Sequence, residues 1–342
     1  MKQIFSILFL LNSFFLFSQT DYWSYQVYFS GCPINHIPKG ITIPDHDKKT
    51  RAIMNAIIGG DTYEQFKQKY PDSLDLKLEK LIAGKVIERN KNVFTLLFPV
   101  LVGEKRTELQ SIIHKRIFEK GISLDPIILA LRQALPEKPE MIFHFLWSRI
   151  MDECWWNLYN STFQTEKGPP SIAFIVYPPH PYQCGTNSDY TPDNDMFAMS
   201  WSYNIFNESF SVPSSKSFFS LATNKPVPKP DQNFFLKHGL LDVESHALIF
   251  TYYEGDSLDV LCDSLKTIYT NLIQGLFNYN ELSKTFQISA DDLFLLVSHE
   301  IAYELIGTIA EKRELFIPIT LQNNPKLNFR YLVSIRLHKH NN

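Results

Sequence analysis

The chain has 342 residues, of which 44% are apolar, 14% aromatic and 20% charged, and its formal net charge is −3. Such an apolar content buries a sizeable core and excludes wholesale disorder, and the slightly acidic balance excludes general binding to nucleic acid or anionic membranes. The length accommodates one large domain or two smaller ones.

Met1-Lys2-Gln3 opens the chain, and an apolar run over 4–17 follows, broken by Ser6, Asn12 and Ser13. As a helix this run spans about 21 Å, short of the roughly 20 apolar residues of a membrane span. A charged start, a short apolar core and a small residue near its end are the features of a secretory signal, so residues 1–19 are expected to be a signal peptide. The segment resembles bacterial signal peptides that end in a small residue followed by Gln, and Ser18-Gln19 is the expected cleavage site. Cys32, in Phe29-Ser30-Gly31-Cys32, has the small neighbours of a lipoprotein cysteine, but the polar and aromatic stretch 21–28 separates it from the apolar run and excludes that anchor.

Residues 20–45 read as one strand over 22–29 and a loop punctuated by Pro33, Pro38 and Pro44. Ile53, Met54, Ile57 and Ile58 have helical spacing and predict a helix over 48–58, closed by Gly59-Gly60. A short helix over 63–70 stops at Pro71, and a third over 74–83 sets Leu74, Leu78, Leu81 and Ile82 on one side. Two strands over 85–89 and 93–99 flank the turn Asn90-Lys91-Asn92, and a helix over 104–118 follows. Ile57-Ile58-Gly59-Gly60-Asp61-Thr62-Tyr63 leads into the second helix, and Leu81-Ile82-Ala83-Gly84-Lys85-Val86-Ile87-Glu88-Arg89 hands over from the third helix to the hairpin. With those residues, the segment 46–120 resembles a winged helix-turn-helix module.

In that family the third helix enters the DNA major groove. Here it offers Lys77 and Lys80 beside Asp75 and Glu79, with no Arg, Asn or Gln over 74–80 for base edges. Residues 47–120 carry 15 Lys and Arg against 10 Asp and Glu, a net +5. That is mildly basic, but export separates the module from the chromosome. A structural or protein-contact use is therefore expected, with no nucleic-acid partner; a DNA-binding regulator requires a chain that is not exported.

The remainder, 121–342, reads as an α+β domain, so the whole is α+β and helix-rich. Helices are predicted over 126–135 and over 141–159. The second is apolar nearly all round, which buries it on most sides, and its main charges are Arg149, Asp152 and Glu153. Strands follow over 171–177 and 196–206, with irregular loops over 178–195 and 211–232. A strand over 247–253 precedes a helix over 256–278. Ser289, with Asp292 three residues on, opens a helix to 313. Strands over 315–321 and 328–337 end the chain, the last with Phe329, Tyr331, Val333, Ile335 and Leu337 facing inward.

Chemistry-bearing patterns are few. Ser298-His299-Glu300-Ile301-Ala302-Tyr303-Glu304 invites a zinc-protease reading, but the second His belongs at 303, where Tyr stands. No metal and no cofactor are expected. His299, Glu300 and Glu304 remain the catalytic candidates for an exported hydrolase. Cys184 lies near His180, but the intervening loop gives no base a fixed geometry. No nucleophile elbow and no phosphate-binding loop occur. Cys32 and Cys184 lie in loop sequence and can form a disulfide, whereas Cys154 and Cys262 fit buried thiols. Four cysteines allow three full pairings, and their spacing chooses none of them and matches no zinc signature. Aromatic residues gather mid-chain; most fill a core, and Tyr182, Tyr190 and Trp201 are the binding candidates. The leading expectation is an exported, non-catalytic protein, periplasmic or extracellular, that binds a protein partner or a surface glycan and has no membrane span after signal cleavage.

Overall fold

A computed structural model describes residues 26–30, 53–54, 56–69, 74–83, 87–97, 99–165, 172–177, 183–191, 195–203, 213–238, 240–241, 251–311, 317–318, 328–329 and 331–337. The predicted signal peptide, Cys32 and Tyr182 lie outside the described residues. The chain divides into two compact units, one of residues 1–106, 171–180 and 205–209, the other of residues 107–170, 181–204 and 210–342.

In chain order the first unit holds β1 (Gln26–Ser30), α1 (Tyr63–Lys69), α2 (Leu74–Ala83), β2 (Ile87–Asn90), β3 (Val93–Leu96), β4 (Val100–Val102) and β5 (Ile172–Tyr177). Helical residues at 53–54 and 56–58 precede α1. Their end is a Schellman closure: Gly60, at φ +81°, donates to Ile57 O (3.0 Å), and Asp61 N–H donates to Ala56 O (2.8 Å). Thr62 and Gln65 then cap α1 reciprocally. Thr62 N–H donates to Gln65 Oε1 (2.6 Å), and Gln65 N–H donates to Thr62 Oγ1 (3.4 Å). β2 and β3 pair antiparallel across a two-residue turn in which Lys91 takes φ +56°. Ile53, Met54, Ile57, Phe66, Leu78, Leu81, Ile87 and Phe94 form one apolar core under the helices and hairpin. The Arg89 guanidinium lies 4.1 Å from the centre of the Tyr63 ring. β4 is an element beyond the two predicted hairpin strands. It pairs parallel with β5, which pairs antiparallel with β1.

α3 (Gly103–Glu119) follows β4 and belongs to the second unit from Thr107 onward. That unit continues with α4 (Asp125–Ala134), α5 (Met141–His144), a π-helical segment (Phe145–Met151), α6 (Trp155–Phe163), β6 (Gln183–Tyr190), β7 (Met196–Tyr203), α7 (Ser215–Ala222) and α8 (Lys229–Lys237). β8 (Thr251–Tyr253), α9 (Asp256–Ile273), α10 (Tyr279–Phe286), α11 (Ala290–Glu311), β9 (Ile317–Pro318), β10 (Asn328–Phe329) and β11 (Tyr331–Arg336) complete it. Its main sheet has the order β6-β7-β11-β8, with β6 and β7 antiparallel, β7 and β11 antiparallel, and β11 and β8 parallel.

Both faces of this sheet are covered. Phe197, Met199, Trp201, Tyr331, Val333 and Ile335 pack with Phe218 of α7, Phe235 of α8, Leu240 and Leu241. Ala198, Ser200, Leu332 and Ser334 face the other way and are equally buried, under the helical stretch 141–151. The alternation along β11 predicts burial of every second residue, but a strand between two layers is covered on both faces, and every residue from Tyr331 to Ile335 is buried. Leu337, expected inward, is partly exposed.

Several other expectations change. The predicted loop 178–195 contains β6, whose sequence Gln-Cys-Gly-Thr-Asn-Ser-Asp-Tyr lacks β-branched alternation. It is an edge strand held by its pairing to β7, so tertiary pairing overrides its weak intrinsic preference. The predicted loop 211–232 contains α7 and the start of α8, which begins after Pro228 with a proline in its first turn. The single helix predicted over 256–278 ends at Ile273, where Gly275 takes φ +68°. α10 then begins behind Asn278, whose side chain accepts from Glu281 N–H (3.4 Å).

Gly185 of β6 sits opposite Trp201 of β7, and a Cβ at 185 would overlap the indole ring, nearer than any real van der Waals contact. Gly185→Ala is expected to cost about 1–3 kcal/mol by overpacking, read as a lowered urea midpoint. Wild-type stability in this variant would show that the ring moves aside freely.

Candidate functional site

α11 carries the predicted catalytic residues. It is capped as its sequence indicates, with Asp292 N–H donating to Ser289 Oγ (3.2 Å). Leu293–Val297, Ile301, Leu305 and Ile306 are all buried, so the helix runs through the interior of the second unit. Its polar side chains turn to separate neighbours. His299 Nδ1–H donates to Leu295 O of its own helix (2.7 Å), and burial lowers the ring's pKa, favouring the neutral form. Glu300 is buried and accepts from Gln110 Nε2 of α3 (3.1 Å). Glu304 sits 2.6 Å from His114 Nδ1 near the surface. The Tyr303 hydroxyl accepts from Cys184 N–H (3.1 Å), tying α11 to β6. Glu300 and Glu304, one turn apart on α11, both reach α3, through Gln110 and His114, whereas His299 bonds the backbone of its own helix. Among the described residues no group of three or more His, Cys, Asp or Glu is arranged to hold a metal ion.

A denser set of charges gathers around Arg149. The π-helical segment delivers Arg149, whose side chain is 3% exposed. π-helical turns are frequent at functional sites, because the extra residue re-aims the side chains it carries. Arg149 donates through Nη1 to Glu153 and through Nη2 to Asp259 of α9. Asp259 also accepts from Arg336 of β11. Lys266 of α9 bridges Glu153 (2.9 Å) and Asp263 (2.6 Å). Glu254, between β8 and α9, places Oε1 3.3 Å from Arg149 Nη2, and its side chain is 1% exposed. Of this cluster the sequence points only to Arg149 and Glu153, as main charges of an otherwise apolar helix. Asp259 and Arg336 lie 110 and 187 positions from Arg149, a separation no local pattern reveals. Asp152, the third charge named on that helix, accepts from Thr186 of β6.

Beneath the cluster, His144 lies wholly buried between the sheet and the helical layer. Its Nδ1 is 3.0 Å from Ser200 Oγ, and its Nε2 is 2.8 Å from Ser334 Oγ. Burial, reinforced by the Arg149 charge, pulls its pKa down to about 3, so the ring is neutral. Hydroxyls rotate to suit either tautomer, so both ring nitrogens are satisfied.

The predicted binding residues separate. Trp201 is 8% exposed and fills the core beneath α7 and α8, which corrects its assignment as a ligand-facing ring. Tyr190 is 51% exposed at the end of β6, and its hydroxyl donates to Glu153 Oε1 (3.4 Å). Trp156, 52% exposed at the start of α6 and three residues after Glu153, belongs to the mid-chain aromatic group but is not among the binding candidates read from the sequence. Cys154, Cys184 and Cys262 are buried free thiols, and burial pushes Cys262 up to about 12. Cys32, the other half of the predicted disulfide, lies outside the described residues. No helix among the described residues is long and apolar enough to cross a membrane. No family model, no curated protein and no solved structure matches this chain, so its own geometry carries the functional reading.

Proposed function

We propose that the chain is an exported, non-catalytic protein that binds a protein partner or a surface glycan. One observation carries this reading. Tyr190, about half exposed, sets its hydroxyl on Glu153 at the rim of the charged cluster, and Trp156, equally exposed, follows Glu153 by three residues in the chain. Exposed aromatic rings beside fixed polar groups supply both contact area and hydrogen bonds to a ligand. The partner assignments of His299, Glu300 and Glu304 support a structural role for α11, because each side chain is already bound to a different neighbour. In this reading the helices and hairpin of the first unit serve as a winged-helix-like contact module, and residues 1–19 are removed on export.

The test is the melting temperature of the chain from residue 20 onward, measured against surface glycans, divalent metals and duplex DNA. A ligand at about 100 times its Kd adds roughly 2.7 kcal/mol, a shift of several degrees. A glycan shift that disappears in the Tyr190→Ala, Trp156→Ala double variant supports the reading, as does capture of a defined partner that the same variant loses. Hydrolysis of any panel member that Glu300→Gln abolishes would replace it with a hydrolase.

A further inference from the structure

β6 stands at the end of the sheet β6-β7-β11-β8, so one of its two edges faces away from β7. Thr191 N–H donates to Asp195 O (2.9 Å), just past the last registered pair of β6 and β7, and this fixes which residues pair through their backbones. Counting back in twos, Asp189, Asn187 and Gly185 turn their N–H and C=O groups toward β7, whereas Tyr190, Ser188, Thr186 and Cys184 turn theirs outward. The bonds at the two ends agree with this parity: Cys184 N–H donates to the Tyr303 hydroxyl (3.1 Å), and Tyr190 N–H donates to Asp189 Oδ1 (2.9 Å). Between these two caps, the outward N–H and C=O groups of Thr186 and Ser188 meet no hydrogen-bond partner among the described residues. Ser188 is exposed and Thr186 is half-buried, so solvent reaches this stretch. Sheets guard open edges with lysine, proline, bulges or very short strands. β6 has eight residues without lysine, arginine or proline, and its register with β7 runs unbroken.

Acids flank the open stretch on both faces of the sheet. Asp152 lies on the side of the helical layer, where it accepts from Thr186 Oγ1. Asp189 shares a face with Phe197, which packs against Phe218 of α7, and accepts from Ser215 of α7. Both acids are exposed, and among the described residues neither has a cationic partner. An extended chain laid along this edge alternates its side chains between the same two faces. Basic residues three apart, as positions 186 and 189 are, therefore set one cation beside each acid.

We propose that the open edge of β6 at Thr186 and Ser188 docks an extended, basic segment of a partner protein, which joins the sheet as a fifth strand. The inference rests on the protein-partner side of the function proposed above and names the form that partner takes. Backbone hydrogen bonds to Thr186 and Ser188 supply the attachment, and Asp152 and Asp189 select the charge. Tyr190 lies on the same face as Thr186, at the end of the open stretch, and its half-exposed ring offers the segment an apolar contact. A glycan has no row of evenly spaced amide groups to match this edge. A second copy of β6 brings its own acids against these, which like-charge repulsion disfavours.

The experiment titrates the protein with a fluorescent hexapeptide of threonine that carries lysine at its second and fifth positions, read by anisotropy. Two companions are a peptide with glutamate at those positions and a copy of the lysine peptide N-methylated throughout its backbone. The lysine peptide is expected to bind, and neither companion should. Bound peptide should slow amide hydrogen exchange at Thr186 and Ser188, measured by NMR. Ser188→Pro removes one outward N–H from a position where an edge strand tolerates proline, and should weaken binding about tenfold, the loss of one backbone hydrogen bond. The Asp152→Asn, Asp189→Asn double variant should lose the preference for lysine over glutamate. If Ser188→Pro does not fold, the N-methylated peptide and the exchange measurement on the wild type decide. No binding at millimolar lysine peptide, equal binding of the N-methylated copy, or unchanged exchange at Thr186 and Ser188 would each overturn the proposal. A concentration-dependent dimer that Ser188→Pro dissolves would also overturn it, by giving the edge to a second copy. A glycan-induced melting shift without peptide binding would overturn the docking edge and leave the broader binding function standing.

Discussion

Lowering the pH from 7 to 5 is expected to cost the fold about 2 kcal/mol through His144 alone. The imidazole is fully buried, hydrogen-bonded through both nitrogens to Ser200 and Ser334, and its pKa falls from 6.5 to about 3. In the unfolded chain the ring protonates near pH 6.5; in the folded chain it stays neutral. Between those values the unfolded state binds more protons, so stability is full above about pH 6.5 and is lost as pH falls toward 3. At pH 5 the separation from the unfolded value is about 1.5 units, which at 1.36 kcal/mol per unit gives the stated cost. His144→Gln replaces the ring with an amide that does not titrate. It should be less stable than wild type at pH 7, through lost packing, and should lose about 2 kcal/mol less on acidification. Urea unfolding at the two pH values measures both quantities. Identical pH dependence in the two proteins would show that the ring is protonated inside the fold or is reached by water.

Arg149→Met is expected to destabilise the protein by about 3–5 kcal/mol, the cost of leaving buried charges without their counter-ion. Three carboxylates, Glu153, Asp259 and Glu254, draw on this one guanidinium, and its side chain has almost no access to water. Lys266 and Arg336 remain near Glu153 and Asp259, so the residue most exposed to the loss is Glu254. Adding Glu254→Gln to Arg149→Met should therefore recover part of the stability, giving a coupling energy of about 0.5–3 kcal/mol in the double-mutant cycle. A loss of about 1 kcal/mol or less for Arg149→Met would place the cluster with ordinary surface ion pairs, which contribute that little.

Local patterns made much of the scaffold readable. The helices flanking Gly59-Gly60, the hairpin around Lys91, the cap at Ser289 and the buried helix around Phe145 all follow from spacing, glycine placement and capping residues within a few positions of one another. β6 was not readable, because a polar edge strand looks like a loop until β7 stands beside it. The π-helical turn was not readable either, since its side chains obey the same apolar pattern as an α-helix while the backbone shifts by one residue. Trp201 and Tyr190 are both aromatic residues at strand positions. Only the packing of α7 and α8 on one sheet face separates the core ring from the exposed one.

By itself the sequence determined an α+β, helix-rich chain, the positions of most helices, the burial of the segment around Arg149 and the lack of a second His at position 303. Tertiary structure alone decided which charges meet. His299, Glu300 and Glu304, neighbours in sequence, are sent to different partners by the geometry of a buried helix. Arg149, Glu254, Asp259 and Arg336, far apart in sequence, are brought together where a π-helical turn, a strand end, a helix and a central strand converge. The physical reason is range: hydrophobic periodicity and capping act over one or two turns, whereas compensating a buried charge depends on whichever distant element packs against it.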